Sequence, residues 1–489
     1  MQVDSIEEVR REASLRLEPE RRSQLGQFLT PSSVARYMAS LFTGLRGPLR
    51  LLDAGAGVGS LSVAFLDRWS AASGSGPARV TAYEIDPVLR EYLETQLTSC
   101  ECKARSKGLD LQIEIHRFDF VEEAVNRIQF RSEPFTHVIL NPPYKKINSR
   151  SRHRHLLSCV GIETVNLYSA FTALCLRLLA PGGELVAIIP RSFCNGTYYR
   201  SFRDLLLTES AIRHIHLFSS RREAFKEDGV LQENVIVHLV KGVPQGDIMV
   251  STSADDTFAD ETSHVFSFEE IVNLGDGERF IHVPTCPERP DIQTLSSVRF
   301  TLQDLGLEVS TGPVVDFRLQ EHLRPHPEPG AVPLLYPGHF AGETLLWPKD
   351  TKKPNAIRLQ PETLKWLYPV GWYVVVRRFS SKEERRRVVA YVSPPLSAPA
   401  VGFENHLNVF HQGKRGLSED LARGLAAFLN STAVDEFFRR FSGHTQVNAT
   451  DLRLLKYPGR EALEKMGRWA REHGPADQEA IDQEVGRLA

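Results

Sequence analysis

The feature that most constrains the fold is an apolar run that stops abruptly at two prolines. Residues Phe135–Leu140 have the composition of a buried strand, and Asn141-Pro142-Pro143-Tyr144 follows without a break. Proline cannot continue a strand ladder, so the strand is predicted to end there. Open α/β sheets bind ligands at the carboxyl ends of their strands. The tetrapeptide is therefore a candidate ligand site, although the same residues also suit an ordinary strand-ending turn.

The tetrapeptide carries groups that suit a flat substrate with an amino group. Consecutive prolines fix the backbone, so the Asn141 side chain, the adjacent carbonyls and the Tyr144 ring are held at set angles. Carbonyl oxygens accept hydrogen bonds from an amine, while the ring stacks on the face of the substrate. The expected chemistry is recognition of a planar amine.

Three earlier strand-like segments end in glycine or in an acid. These segments and the residues after them are Leu49–Leu52 with Asp53, Gly55, Gly57 and Gly59, Arg79–Tyr83 with Glu84 and Ile85, and Leu111–His116 with Asp119 and Phe120. Alternate glycines let the backbone approach a ligand closely. An acid after the second strand is placed to accept both hydroxyls of a ribose, and an acid beside aromatic rings can hold an adenine amino group. Each acid alone is commonly a turn or cap residue, but four such strand ends predict one shared site.

The remainder of the first half continues the alternation of helix and strand. A mostly apolar helix is predicted over 167–179, and strands are predicted over 184–189, 212–218 and 234–240. Such repeats form a mostly parallel sheet with helices on both faces, so the fold class is α/β. The predicted domains are 1–242, a linker or loop-rich extension over 243–290, and a mixed α+β domain over 291–489.

Two basic segments are candidates for contact with phosphates. Lys145, Lys146, Arg150, Arg152 and Arg154 follow the tetrapeptide, and Arg385, Arg386 and Arg387 form the predicted tip of a two-stranded ribbon over 372–376 and 388–392. Runs of charge are also commonly solvated faces. The net charge of the chain is −2, so overall charge balance does not indicate a nucleic-acid partner.

Composition limits the class of protein. The chain has no apolar stretch long enough for a membrane span and no signal peptide, which predicts a cytoplasmic protein. Its six cysteines are scattered and have no zinc-finger spacing. Reduced thiols and no metal site are therefore expected.

The segment Phe28-Leu29-Thr30-Pro31 is predicted to open a helix and to present free N–H groups to an anion such as a carboxylate. With the glycine loop, Glu84, Asp119 and Asn141–Tyr144 in this order, the chain resembles S-adenosylmethionine-dependent DNA adenine-N6 methyltransferases of restriction–modification systems. The likeness is closest to their gamma group, and the segment 190–196 is similar to its type II members. It covers residues 20–240 well and the later residues loosely.

The resemblance implies a Rossmann-like methyltransferase sheet in residues 1–242 and a target-recognition domain in 291–489. It implies a catalytic role for Asn141, Pro142, Pro143, Tyr144 and Phe225. The implied cofactor site comprises Phe28, Thr30, Pro31, Asp53, Gly55, Gly57, Gly59, Glu84, Ile85, Asp119, Phe120 and Asn141. The implied partners are duplex DNA and a separately encoded restriction endonuclease.

The tetrapeptide alone does not specify the substrate. Protein-glutamine and RNA-guanine methyltransferases share it, and a DNA-binding defence subunit with an idle methyl-transfer site is a further alternative. The protein-glutamine and RNA methyltransferases typically carry a small accessory domain, whereas some 200 residues follow the catalytic part here. The complete order of motifs favours a DNA adenine methyltransferase.

Overall fold

The computed structural model describes residues 5–17, 28–72, 75–218, 233–272, 277–284, 298–341, 344–380, 384–441, 446–474 and 477–487. The chain divides into two units, Met1–Pro287 and Glu288–Ala489. In the described residues, no helix is both long and apolar enough to cross a membrane.

The first unit alternates helices and strands along most of its length. Its elements are α1 Ser5–Arg16, α2 Ser32–Ser40, β1 Gly47–Ala54, α3 Ser60–Ala71, β2 Ser75–Tyr83, α4 Pro87–Ser106, β3 Leu111–His116, α5 Phe120–Gln129, β4 Phe135–Leu140, α6 Arg152–Cys159, α7 Leu167–Leu178, β5 Leu179–Pro190, α8 Arg200–Glu209, β6 Ser210–Phe218, β7 Asn234–Lys241, β8 Ile248–Ser253, β9 Thr262–Phe266 and α9 Phe268–Ile271. The strands and helices predicted between 49 and 240 are all present.

These strands form one nine-stranded sheet in the order β3-β2-β1-β4-β5-β7-β6-β8-β9. Strands β1 to β5 pair in parallel, and β7 lies antiparallel between β5 and β6. Successive residues of β5 point to opposite faces, so that Leu185 and Ala187 pack in one apolar cluster and Val186 and Ile188 in another. Both faces of the sheet are covered, which confirms the α/β fold.

The segment over 243–290, predicted as a linker or loop-rich extension, is an extension of the first unit in its described residues. Strands β8 and β9 lie inside it, and β8 pairs in parallel with β6, so the segment extends the main sheet. Ile248 and Val250 are buried on β8, while the intervening Met249 is partly exposed. This short alternation lies among Asp, Ser and Thr residues that favour turns, and burial against the sheet outweighs them. The contact boundary between the units falls after Pro287.

A buried carboxylate joins the segment after α2 to the middle of the sheet. Glu184 on β5 accepts hydrogen bonds from the backbone N–H groups of Thr43 and Gly44, at 2.9 and 2.8 Å, and its Oε2 lies 2.8 Å from His238 Nε2. Burial alone would raise the pKa of Glu184, but the hydrogen bonds from His238 and Thr43 outweigh it and lower this pKa to about 2. The ionised form is therefore the one that the fold stabilises.

We expect Glu184→Gln to lower the free energy of unfolding by about 3 kcal/mol at pH 7, since the pKa of the folded state lies below the unfolded value. A depressed pKa stabilises the fold above the unfolded pKa of 4.5, and this contribution is lost as the pH falls towards 2. The difference between the two proteins should therefore fall to less than half by pH 3. Urea denaturation at several pH values measures it, with the exposed Glu163→Gln as control. A deficit that does not change with pH would contradict this account.

The second unit is a mixed α+β domain. Its elements are β10 Glu308–Thr311, β11 Leu323–Arg324, β12 Ala331–Leu335, β13 Phe340–Ala341, β14 Thr344–Leu345, β15 Ala356–Arg358, β16 Leu367–Pro369, β17 Tyr373–Arg377, β18 Ala390–Ser393, β19 Ala400–Phe403, β20 Leu407–His411, α10 Glu419–Leu429, α11 Thr432–Phe441, α12 Ala449–Leu454, α13 Arg460–His473 and α14 Gln478–Gly486. The strands form a four-stranded sheet β10-β20-β17-β18, a five-stranded sheet β11-β15-β12-β19-β16 and the pair β13-β14.

Two expectations for this unit need correction. The predicted ribbon exists as the β17–β18 pair, but β17 also pairs with β20, so it belongs to a larger sheet. The predicted helix over 421–441 is two helices, α10 and α11, because the chain turns at Asn430, whose side chain bonds the backbone of Ala390 on β18. A tertiary contact therefore interrupts a continuous helical pattern.

Candidate active site

A cavity of about 360 Å³ lies in the first unit where β1, β2, β3 and β4 end. Each of these strands contributes residues that follow its carboxyl end. The lining comprises Gly55 and Gly57 after β1, Tyr83, Glu84, Ile85 and Leu89 at and after β2, Phe118, Asp119 and Phe120 after β3, Asn141, Pro143, Lys145, Lys146, Ile147 and Asn148 after β4, and Phe28, Leu29, Ser151, His153, Leu167 and Phe171 from other segments. The four predicted strand ends therefore meet at one cavity.

The glycine loop after β1 has a backbone that only glycine adopts readily. Gly57 and Gly59 have φ angles of 57° and 90°, in the left-handed region. A Cβ on Gly59 would lie 2.9 Å from Leu93 Cδ1 on α4, and one on Gly57 would lie 3.2 Å from Leu29 Cδ2. The glycines thus permit both the turn and the close packing of the loop.

Glu84 connects the ends of β1 and β2. Its Oε2 accepts a hydrogen bond from the Gly57 N–H at 2.8 Å, and its Oε1 accepts one from the Asp86 N–H at 2.7 Å. Burial raises the pKa of this carboxyl to about 7, although both backbone hydrogen bonds act to lower it. Glu84 is buried and lines the cavity, so it offers a fixed acceptor to a ligand.

Asp119 has partners for both of its oxygens. Oδ1 caps α5 by accepting from the N–H groups of Val121 and Glu122, and Oδ2 lies 2.9 Å from His153 Nε2. Burial would raise the pKa of Asp119, but the hydrogen bond from His153 lowers it. The same bond raises the pKa of His153 against the effect of burial. The predicted adenine acceptor is therefore half of an ion pair whose partner also lines the cavity.

Two protein acceptors hold the side-chain amide of Asn141. Its Nδ2 donates to the backbone carbonyl of Phe28 at 2.9 Å and to Thr30 Oγ1 at 3.0 Å. Its Oδ1 is shielded from solvent and has no hydrogen-bond partner within the described parts of the chain. Because Asn141 lines the cavity and this oxygen has no partner in those parts, Oδ1 is the acceptor that Asn141 can offer to a donor placed there.

Tyr144 is packed more tightly than the tetrapeptide predicts. Its hydroxyl donates to the Ile188 carbonyl at 3.2 Å, and its ring lies beside Phe28, with ring centres 5.5 Å apart. The ring is half-buried and is not part of the cavity lining, whereas Phe28 is. Tyr144, the last residue of the tetrapeptide, therefore forms an aromatic pair with Phe28.

Several predicted site residues support the cavity without lining it. Thr30 fixes Asn141, and Pro31 precedes the first turn of α2. Asp53 is fully buried, and its Oδ2 accepts from Ser62 Oγ at 2.6 Å. Burial raises the pKa of Asp53 to about 7. Asp53, Pro142 and Gly59 are absent from the residues that line the cavity.

The basic residues after the tetrapeptide divide into two groups. Lys145 and Lys146 are exposed and line the cavity, and Arg150 is exposed beside it in sequence. Arg152 is paired with Glu122 on α5, and Arg154 donates to the Thr164 carbonyl, so both have protein partners.

Three arginines were predicted to form a basic tip between β17 and β18, and this prediction is wrong for Arg387. Arg387 is 1% exposed, and its Nε lies 3.2 Å from Ser380 Oγ, so it supports the fold instead of facing a ligand. Arg385 is exposed and Arg386 is half-buried. Phe225 lies outside the described residues, so its predicted role stays a prediction.

Some cavity residues were missed by reasoning from sequence. Phe171 lies on α7, whose apolar composition predicted only a buried helix, and His153 lies on α6 among basic residues. His153 reaches the cavity because α6 packs against α5, which begins after Asp119, and Phe171 reaches it because α7 packs against α5, β1 and β4. The sequence signal that could have identified His153 as a cavity residue was its position on a polar helix soon after the tetrapeptide.

Comparison with known proteins places the chain in a family. Residues 70–225 match the family described as Eco57I restriction-modification methylase. The chain is 51% identical over 462 residues to the type II methyltransferase M.BsuBI of Bacillus subtilis, covering 92% of this chain and 91% of that protein. It is 42% identical over 494 residues to the type II methyltransferase M.PstI of Providencia stuartii, covering 99% and 96%.

Solved structures support the fold at lower identity. A DrdV–DNA complex has a TM-score of 0.56 at 13% identity, with 96% of this chain and 60% of that chain covered. A nuclease-deletion mutant of the type ISP restriction–modification enzyme LlaGI has a TM-score of 0.53 at 11% identity, with 91% and 54% covered. Two relatives above 40% identity over almost the whole chain, together with the match to the methylase family, establish that the chain belongs to the type II methyltransferases of restriction–modification systems and is a site-specific DNA methyltransferase.

Proposed function

We propose that the chain transfers a methyl group from S-adenosylmethionine to N6 of an adenine within a short duplex recognition sequence. The observation that supports this most directly is the Asn141 amide, whose hydrogens are engaged by Phe28 and Thr30 and whose Oδ1 has no donor among the described residues. An isolated acceptor suits a substrate that brings an amino group.

The cavity residues fit the proposed cofactor. Glu84 offers a buried acceptor to the ribose hydroxyls, and Gly55 and Gly57 line the cavity after the end of β1, where the amino acid part would lie. Apolar side chains from three segments, Ile85, Phe118 and Phe171, line the same cavity and suit the two faces of an adenine. S-adenosylmethionine supplies an electrophilic methyl group on a sulfonium. The Asp119–His153 pair presents polar atoms for the adenine edge.

The mechanism follows from the geometry of Asn141. Adenine N6 is a poor nucleophile because its lone pair is delocalised into the ring. Hydrogen bonds from N6 to Asn141 Oδ1 and to the Pro142 carbonyl favour a pyramidal nitrogen, and the same oxygens stabilise the positive charge that develops on it. The N6 lone pair forms the new N–C bond as the S–C bond breaks, and one N6 proton then leaves to water. Alignment of the two groups lowers the barrier further.

The target base must leave the duplex to reach the cavity. Flipping costs a few kcal/mol, and stacking on an aromatic ring returns about 1–3 kcal/mol per base. The pair formed by Phe28 and Tyr144 provides such a ring, and Phe225 is the proposed second one.

The test of this proposal is sequencing of DNA from a methylation-free bacterial host that expresses the chain. We expect N6-methyladenine at one short motif, and resistance of that motif to a separately encoded restriction endonuclease. N4-methylcytosine at the motif, or unmodified DNA from cells that contain folded protein, would contradict the adenine assignment. Assay of bulk RNA and protein from the same cells tests the alternative substrates.

We expect the triple variant Lys145→Gln, Lys146→Gln and Arg150→Gln to bind all DNA sequences more weakly. Each phosphate contact contributes about −0.9 to the slope of log affinity against log salt concentration, so the slope should become shallower by up to about 2.7. Fluorescence anisotropy at several salt concentrations measures this.

The matched control removes charge from the exposed Lys103 on α4 and the exposed Lys107 that follows this helix, neither of which lines the cavity. The double variant Lys103→Gln and Lys107→Gln should keep the original slope. An unchanged slope in the triple variant would identify its three residues as a solvated face.

A further inference from the structure

A cluster of nitrogen and oxygen ligands lies near the β9 edge of the main sheet, apart from the cavity. His214 and His216 alternate on β6 and so share one face of the strand, and Glu261 comes directly before β9. One ligand atom from each residue lies within 4.8 Å of the others, and His216 Nδ1 is 3.7 Å from Glu261 Oε1. We propose that this cluster binds a divalent transition-metal ion such as zinc, independently of the proposed methyl transfer.

Two hydroxyl groups lie against the three ligand atoms. Tyr37 Oη on α2 lies 2.5 Å from Glu261 Oε1 and 3.2 Å from His216 Nδ1. Ser251 Oγ on β8 lies 2.7 Å from His214 Nε2 and 2.8 Å from His216 Nδ1. Zinc takes four ligands, with imidazole nitrogens and carboxylate oxygens at about 2.0–2.2 Å, so the two imidazoles and Glu261 leave one position for a hydroxyl or a water. Tetrahedral neighbours at these distances lie about 3.4 Å apart. The observed separations lie on both sides of this value, so small side-chain adjustments suffice.

Ser253, the second partner of His216, orients the imidazole so that the lone pair of Nδ1 faces the cluster. Ser253 Oγ donates to the Asp255 carbonyl at 2.8 Å, so it accepts from His216 Nε2 at 3.0 Å. Nε2 therefore carries the imidazole proton, and Nδ1 is the acceptor. Metal-binding histidines are commonly oriented in this way, by donating their other N–H to a polar partner.

The cluster holds fewer hydrogens than its short contacts require. The Tyr37 hydroxyl donates to Glu261, which leaves the hydrogen of Ser251 and that of one His214 tautomer. Five close contacts, at 2.7 to 3.5 Å, join Tyr37 and Ser251 to each other and to the two imidazoles. Two hydrogens cannot occupy all five contacts. Lone pairs therefore face one another, and a cation would satisfy them.

The site has an entry path and a structural consequence. His216 is fully buried, whereas the Glu261 side chain is 32% exposed, so an ion can reach the cluster from solvent. A bound ion would join β6 and the start of β9 to Tyr37 on α2. Because α2 follows Thr30, which orients Asn141, the ion would stabilise a helix next to the active site. Cysteine spacing predicted no metal, since these ligands come together only in the folded sheet.

The test uses the full-length chain without a histidine tag, stripped with EDTA and dialysed. Isothermal titration with Zn²⁺ should show one bound equivalent, Co²⁺ should give the strong visible absorption of a tetrahedral site, and Zn²⁺ should raise the Tm. Glu261→Gln keeps the shape and an acceptor for Tyr37, and it should weaken Zn²⁺ binding at least tenfold. Glu269→Gln, at an exposed residue on α9, is the matched control and should bind as the wild type does.

A second pair of variants tests the orientation of His216. Ser253→Ala removes the acceptor for Nε2–H and should weaken Zn²⁺ binding by about 10- to 100-fold. His264→Gln, on the neighbouring strand β9 and outside the cluster, should leave it unchanged. Wild-type protein that binds no Zn²⁺, or Glu261→Gln protein that binds it as tightly as wild type, would overturn the proposal. Loss of methylation with metal binding retained would count only against the proposed reaction.

Discussion

Asn141→Ala should reduce the rate of adenine methylation by about 10²- to 10³-fold or more, which is the typical effect of removing one preorganised group that stabilises charge in a transition state. The variant loses the Oδ1 acceptor, which has no partner in the described structure. It also loses the two hydrogen bonds from Nδ2 to Phe28 and Thr30. These bonds orient the amide and involve only protein atoms. Single-turnover transfer of radiolabelled methyl groups to a DNA duplex measures the rate.

The reduction should affect catalysis much more than cofactor binding. We expect the affinity for S-adenosylmethionine to change only a fewfold, because the other strand ends still line the cavity. Asn148→Ala is the matched control, since Asn148 also lines the cavity but its Oδ1 accepts from the backbone of Arg150. Methylation by Asn141→Ala at a rate close to that of Asn148→Ala would remove the main support for the proposed mechanism.

Glu84→Gln should weaken binding of S-adenosylmethionine by about 10- to 100-fold, because a hydrogen bond to a charged group contributes about 1.5–3 kcal/mol. The carboxylate accepts from the N–H groups of Gly57 and Asp86, and the amide nitrogen of glutamine cannot replace an acceptor oxygen. The turnover rate at saturating cofactor should change less than the affinity. Isothermal titration measures binding, and Glu91→Gln, at an exposed residue on α4, is the control.

The pH dependence of cofactor binding provides a second test of Glu84. Burial raises its pKa to about 7, so the carboxyl is ionised above this pH and gains a proton as the pH falls through it. Since the ionised form is the better acceptor, affinity should decrease by about tenfold between pH 8 and pH 6. Glu84→Gln should lose this dependence, and what remains in the variant belongs to the Asp119–His153 pair. A variant with the same pH profile as the wild type would exclude Glu84 as the titrating group.

The strand ends of the catalytic unit could be predicted because local chemistry decides them. Proline stops β4 at Asn141, and alternate glycines permit the left-handed turns after β1. These effects act within a few residues, so they are visible in the order of amino acids. The cavity formed by Glu84, Asp119 and Asn141 follows, because parallel strands bring their carboxyl ends to one edge.

Residues whose role depends on a distant partner could not be predicted. Arg387 belongs to a basic run, but it is buried beside Ser380, and nothing in its neighbours along the chain indicates this. His153 reaches Asp119 from another helix. The short alternation of buried and exposed residues on β8 indicates a strand only together with the pairing of β8 to β6. In each case burial against another element outweighs the local preference for solvent.

The amino-acid order alone thus determined the α/β class, the motif order and the four strand ends that line one cavity, because each rests on backbone constraints and side-chain chemistry over a few residues. The tertiary structure alone decided which way the Asn141 amide points, which basic residues stay exposed, and how His214, His216 and Glu261 meet. Those features arise from contacts between segments far apart in the chain, and their free energies depend on distance and burial that only the packed fold sets.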